Sequence, residues 1–366
     1  MDFNTAQSMF RDDKIRALAS SDDGLRFLKL RSLSRKEHLE RVFSELAVQP
    51  EASGVKAMFR EVYDNQTLTN EEIDRIIDSI YEDERRLRRD KEDELVSQLY
   101  RLSVFDWGGL HQNSLEKTIV DNYVKKITSY ELLNSKIENE LHNSLRGYVL
   151  CSWYNHWTSI MIEDVFKDHE RVLPAVGLVK KIDFFVNNIP FDLKVTYLPE
   201  GFIKEARRAT KLRPELTLLK QEARRHNIHF NTSMPEGALL ADLWAKHNDH
   251  PSTGSRKLIC ELAAFRQKLI ADCLEDSTTL IRWLYENQGV RRFDASNRLF
   301  LVLIDESSFF DSWKLKRAKP LLEKQVHEYL DNTGDLIGKE IDFDWEGTTY
   351  EVTSDVVFVV HKSATS

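Results

Sequence analysis

Two alternating runs joined by a pair of asparagines constrain this chain more than any other feature. Apolar residues recur at every second position, first as Ile182, Phe184 and Val186, then as Ile189, Phe191, Leu193 and Val195. A period of two belongs to a strand, and Asn187-Asn188 tolerates positive φ, so the stretch reads as a β-hairpin with a two-residue loop. The loop sets the register: Val186 faces Ile189, Phe184 faces Phe191, and Asp183 faces Asp192. One face of the hairpin is then an apolar core face. The other carries Lys181, Asp183, Phe185, Pro190, Asp192 and Lys194.

Directly opposed residues on neighbouring strands have Cβ atoms roughly 4.5–5.5 Å apart. Two carboxylates at that spacing disfavour joint ionisation unless a cation lies between them. A divalent ion of the Mg²⁺ type is the simplest compensation, because hard cations take carboxylate oxygens, a backbone carbonyl and waters, often completed by a substrate phosphate. Lys194, two residues beyond Asp192 on the same face, would set an ammonium beside that ion. There it can orient a water and offset charge developing on a phosphorus centre. A surface hairpin built for ion pairing would alternate its charges, whereas this register pairs Asp with Asp and Lys with Lys.

The remaining sequence supplies the setting. At 366 residues the chain exceeds one comfortable core, which predicts a helical N-terminal region over 1–110 and a second domain over 111–366. The Asp106-Trp107-Gly108-Gly109 stretch is the expected break. Ser34 to Glu37 and Thr69 to Glu72 read as capping boxes. The mixed-sign run Glu82–Glu94 reads as a solvated helix laced with i,i+4 pairs. Leu145 to Phe166 carries apolar and aromatic residues on most sides, as a buried helix does. Pro174 closes that helical stretch. After the hairpin, 204–225 holds eight basic residues against three acidic ones, and a polar, irregular stretch follows to Ser255. Together these form a basic and polar insertion around 200–257. Its pairs His226/His229 and His247/His250 read as loop residues in preference to a metal site. Leu258 to Glu286 is helical, Arg298 to Ile304 has the continuous apolar character of a strand buried on both faces, Leu315 to Leu330 is helical, and the chain ends in strands. Asp305-Glu306 reads as a turn.

Asp183 on one strand and Asp192-Leu193-Lys194 on the next, behind a buried helix, resemble the PD-(D/E)xK nuclease superfamily. The resemblance covers about Leu145 to Ile304. It implies an α/β (α+β) fold, a restriction-endonuclease-like mixed sheet flanked by helices, here with the helical N-terminal region added. It implies a Mg²⁺-dependent endodeoxyribonuclease, with Mn²⁺ able to substitute, of the restriction or phage-defence type. Asp183 and Asp192 would hold the metal, the Leu193 carbonyl would add a ligand, and Lys194 would stabilise or activate the nucleophile. The family also draws a glutamate from the preceding helix; Glu163 is best placed, with Asp164 and Glu140 as alternatives. One departure is Ile182, where the family's motif has a proline.

Double-stranded DNA is the expected partner, held by Lys204, Arg207, Arg208, Lys211 and Arg213, since phosphate contacts position a duplex without reading its sequence. Cleavage of both strands favours a homodimer, and a companion DNA methyltransferase would fit a restriction role. A nuclease acting on RNA or on branched or single-stranded DNA in repair is one alternative; a non-catalytic nucleic-acid- or partner-binding protein is another. The chain carries 52 basic and 60 acidic residues, net −8, which excludes a protein held to DNA by gross charge and confines contact to the basic segment. No GxxxxGK[ST], GxGxxG or GxSxG motif appears. Three unpatterned cysteines suggest reduced packing residues. With no apolar run of membrane length and no secretory leader, a cytoplasmic protein without membrane contact is expected.

Overall fold

The computed structural model describes residues 1–51, 53–106, 119–179, 181–287, 296–334, 337–345 and 347–362. The break expected at Asp106–Gly109 and the boundary at 110/111 fall on 107–118, outside the described residues.

Helices α1 (Phe3–Arg11), α2 (Ile15–Ala19), α3 (Asp22–Ser32), α4 (Lys36–Glu45), α5 (Val55–Asp64), α6 (Asn70–Arg89) and α7 (Glu92–Leu99) build the N-terminal region. The Thr69 capping box forms, Thr69 accepting from the Glu72 amide and Glu72 from the Thr69 amide. The one expected at Ser34 does not, because α4 is capped by Arg35 without a side-chain bond. Helix α6 places Ile73, Ile76, Ile77 and Ile80 on one face, buried with Phe27, Leu28, Leu39 and Phe59.

Short helix α8 (Tyr130–Lys136) and a π-turn (Ile137–Leu141) lead into α9 (His142–Lys167). Its second half is buried through Met161, Ile162, Val165 and Phe166, whereas Leu145 and Val149 near its start are exposed. The expectation of a helix buried throughout is therefore corrected at its start: burial sets in at Cys151 and Tyr154 and continues on one face to Phe166.

The sheet has six strands in the order β1-β2-β3-β4-β6-β5, with β1 Val172–Val179, β2 Ile182–Val186, β3 Ile189–Tyr197, β4 Arg298–Asp305, β5 Lys339–Trp345 and β6 Thr348–His361. β1, β2 and β3 form an antiparallel meander, β3, β4 and β6 are parallel, and β5 returns antiparallel. β1 begins before Pro174, which was expected to precede the strands; proline is tolerated there because β1 is an edge strand. The other edge, β5, alternates buried Ile341 and Phe343 with exposed Glu340, Asp342 and Asp344.

Alternation along β4 divides the core. Leu299, Leu301 and Leu303 join α9 and a helix α15 (Lys319–Asn332), while Phe300, Val302 and Ile304 join α14 (Thr278–Glu286) on the opposite side. The hairpin departs from its expected faces. Phe184, Val186, Phe191 and Leu193 pack under α9, but Ile182 and Phe185 are buried with the N-terminal helices. Helices α3 and α6 pack on β1 beside them.

Between β3 and β4 run α10 (Glu200–Ala209), α11 (Glu215–Arg225), α12 (Glu236–Asp249) and α13 (Thr253–Glu275). The stretch expected to be polar and irregular is a helical unit with its own small core of Leu219, Ala223, Leu239, Leu240, Leu243 and Leu262, and its last helix runs well past residue 257. His247 lies inside it with its ring nitrogens on Ser255 Oγ (2.8 Å) and the Leu219 carbonyl (3.0 Å). Among the described residues no helix is long and apolar enough to cross a membrane. Cys151 and Cys273 are buried, Cys260 is exposed, and all three are free thiols.

Candidate functional site

The loop between β2 and β3 forms as its sequence requires, with Asn187 at φ 50° and Asn188 at φ 66°, and the pairs Val186–Ile189, Phe185–Pro190 and Phe184–Phe191 follow. Beyond Phe191, β3 acquires a second partner. Asp192 pairs with Arg298 at the start of β4, and its amide donates to the Asn297 carbonyl at 3.0 Å. The ladder between β2 and β3 ends one residue before Asp183, whose Oδ2 accepts the Leu193 N–H at 2.7 Å. A carboxylate therefore sits where two strands stop exchanging backbone bonds.

Burial raises the Asp183 carboxyl to about 6, and the charges of Glu163 and then Asp192 push in the same direction; the Leu193 amide and Lys167 oppose them. Of the acids proposed for the preceding helix, Glu163 is the one acting on Asp183. Asp164 is held by Arg85 and Arg88 from α6, and Glu140 pairs with Lys136. Asp192 is 7% exposed and lies between two cations: Lys194 Nζ bonds its Oδ1, and Arg298 Nε stands 3.7 Å from its Oδ2. Glu163 pairs with Lys167 at 3.0 Å.

Three residues of this neighbourhood escaped the sequence reading. Arg298, 1% exposed with its guanidinium over the Tyr285 ring at 5.0 Å, was counted only as the first residue of an apolar strand. An arginine opening a strand buried on both faces needs a buried partner, and that was the signal to read. Lys167 and Asn297 carried no comparable mark.

The donors present are carboxylates and the Leu193 backbone, the oxygen set a hard divalent cation takes. Among the described residues no three His, Cys, Asp or Glu side chains close to metal-ligand spacing. An ion held by Asp183 and Asp192 would have to take its remaining ligands from water or substrate oxygens, with Lys194 displaced from Asp192. A closed three-carboxylate cage is not assembled.

The basic segment divides. Arg208, Lys211 and Arg213 are exposed, and Lys204 pairs with Glu236 at 2.8 Å. Arg207 is 4% exposed, donates to the Arg213 carbonyl at 2.8 Å and stacks on Phe265 at 4.7 Å. Its place in the expected DNA-contact set is corrected, because a buried guanidinium committed to a carbonyl and a ring does not face a phosphate backbone. None of these side chains bonds to Asp183, Asp192 or Lys194 among the described residues. No family model, curated protein or solved structure matches the chain, so the reading of the site rests on its own geometry.

Proposed function

We propose that the chain is a metal-dependent phosphodiesterase of PD-(D/E)xK type, acting as an endodeoxyribonuclease in restriction or phage defence. The observation that carries this reading is the pair Asp183 and Asp192 at the end of the β2–β3 ladder, with Asp183 kept reluctant to ionise by burial and by Glu163 and Asp192. A buried carboxyl with an elevated pKa beside other acids is the pattern of a functional site more often than of a structural pair.

Asp183, Asp192 and the Leu193 carbonyl are the groups that would hold Mg²⁺ or Mn²⁺, with Glu163 next in reach. The ion supplies charge neutralisation at the phosphate and makes a nearby water a better nucleophile. Lys194, with its side chain 42% exposed, releases Asp192 and turns its ammonium to the phosphate oxygens. Arg298, buried beside Asp192 with its Nε 3.7 Å from Oδ2, keeps that carboxylate aimed as Lys194 leaves. Duplex DNA is the substrate that suits the exposed Arg208, Lys211 and Arg213. Two copies acting on two strands would be a homodimer, and a DNA methyltransferase would protect the host sites.

One observation favours a second reading. Lys194 on Asp192 and Lys167 on Glu163 neutralise two of the three acids internally, as they would in a non-catalytic nucleic-acid-binding protein. Incubating supercoiled plasmid, linear duplex, single-stranded DNA and RNA with the chain and Mg²⁺, Mn²⁺ or EDTA separates the two. Metal-dependent nicking of DNA that Asp192→Ala and Lys194→Ala lose, while still retarding DNA on a gel, supports the nuclease. Retardation without cleavage under any metal supports the binding protein.

A further inference from the structure

The last two turns of α9 point in two directions. Glu163 and Lys167 form one pair and both act on Asp183. Asp164 and Asp168, each one residue further and so about 100° round the helix, turn to α6. Arg88 Nε and Nη2 donate to Asp164 Oδ2 and Oδ1 at 2.8 and 2.7 Å. Arg85 Nε donates to both oxygens of Asp168 at 2.9 and 3.0 Å, and its Nη2 to both oxygens of Glu92 at 3.2 and 3.1 Å. Tyr81 Oη donates to Asp168 at 2.7 Å, Arg89 reaches the same oxygen at 3.1 Å, and Lys319 of α15 pairs with Glu92 at 2.8 Å. Arg85 is 1% exposed. The charged run 82–94, expected to be a solvated helix, is exposed along most of its length, and only Arg85 and Glu92 are buried in this junction, with Arg88 half-buried beside them.

Left alone, Asp164 and Asp168 would work against α9. Two acids four residues apart repel each other, and negative charge at a helix C-terminus opposes the macrodipole. The arginines of α6 reverse both effects, and their planar bidentate geometry fixes direction as well as charge. A helix gripped on one face by two such forks cannot roll or slide without breaking them. The face that would move with it carries Glu163 and Lys167.

We propose that Arg85 and Arg88 are positioning residues, and that through them the N-terminal helices set the roll of α9 and hence the placement of Glu163 and Lys167 at Asp183. The inference rests on the phosphodiesterase reading and makes residues 1–106 part of the site's construction rather than an appended module. The test compares Arg88→Gln, Arg88→Lys and Arg85→Lys with the parent chain. Arg26→Lys is the control, a buried arginine of the same region that bonds only backbone carbonyls of Val62, Tyr63, Asn65 and Leu68. Two readouts apply: plasmid cleavage resolved into kcat and KM, and Mn²⁺ binding followed by the resonance of free Mn²⁺.

Arg88→Gln is expected to lower kcat or Mn²⁺ affinity about 10- to 100-fold, as loss of outer support for a metal site does, with KM for DNA within about twofold of the parent. Arg88→Lys recovers part of that loss. Arg26→Lys lowers the melting temperature without moving either readout. Parental kcat and Mn²⁺ binding in both Arg88→Gln and Arg85→Lys, with Asp192→Ala inactive, would overturn the inference and leave the nuclease standing. Equal losses in Arg26→Lys would reduce the effect to general destabilisation and overturn it too. A parent chain that neither cleaves nor binds Mn²⁺ removes the proposed function and the inference together.

Discussion

Asp168 and Asp183 are both half-buried carboxylates, opposite in treatment. Asp168 receives Arg85, Arg89 and Tyr81, and these partners hold its carboxyl below the ordinary range despite its burial. Asp183 receives one backbone amide and more distant help from Lys167, while Glu163 and Asp192 add negative charge, and its carboxyl rises to about 6. The fold has arginines available and spends them on Asp168. Asp168 is supplied with three side-chain donors, whereas Asp183 has one backbone amide and two acids acting on it, and the cations nearest the hairpin, Lys194 and Arg298, stand at Asp192.

The largest effect that can break this contrast is catalytic. Asp192→Ala should reduce metal-dependent DNA cleavage by at least about 10²-fold, measured by plasmid nicking, and unchanged nicking would return the hairpin to a structural role. Next comes Arg85→Ala, which removes the buried guanidinium shared by Asp168 and Glu92, leaving Tyr81 and Arg89 on the first and Lys319 on the second, and should destabilise the chain by about 3–5 kcal/mol in a denaturant titration.

The two aspartates themselves should then give opposite signs. Asp168→Asn lowers the melting temperature at pH 7, and Asp183→Asn in EDTA raises it, because the second substitution removes a buried charge with too few partners. The pH dependence follows the same division. With Asp183 raised, the folded chain binds more protons than the unfolded one between about 3.8 and 6, so this group's contribution to stability falls as pH rises through that window and stays low above it. With Asp168 lowered, its contribution is full above 3.8 and is lost as pH falls through the folded value. Comparing melting curves of the two variants with the parent across pH 3 to 7 reads both slopes.

A smaller effect is expected from ligand linkage: millimolar Mn²⁺ should raise the melting temperature of the parent chain and leave that of Asp183→Asn unchanged. Smallest is Arg208→Gln, which should weaken DNA retardation uniformly across sequences and lower the salt slope by about one.

The hairpin was legible because its information is local. A two-residue loop with positive φ and a period of two leaves one register, and it holds from Val186–Ile189 to Phe184–Phe191. The ladder stops before the expected facing of Asp183 with Asp192 and of Lys181 with Lys194, because β3 turns to β4 at Asp192 and Lys181 pairs with Asp13 at 3.2 Å. The long-range consequences of the same residues were not legible. Ile182 and Phe185 fall on opposite faces in an alternating pattern, yet both are buried with the N-terminal helices, which pack on the neighbouring strand β1 through α3 and α6. The run 82–94 shows charge without direction, and it takes the position of α9 to turn Arg85 inward. The stretch after Arg225 concealed helix α12, whose apolar residues Leu239, Leu240 and Leu243 bury against Leu219 and Ala223 of α11 and Leu262 of α13, while polar residues on both sides of it set the character of the segment as a whole. Arg207 was grouped with its basic neighbours, while its burial follows from Phe265 and the Arg213 carbonyl, contacts that composition does not carry.

The two outer strands described above also decide how this molecule can meet others. A proline in β1 lacks one amide donor, and β5 turns Glu340, Asp342 and Asp344 outward along its length. Both borders of the sheet are therefore hostile to a strand arriving from another chain. A concentrated solution of the folded chain should accordingly resist growth of fibrils by edge addition.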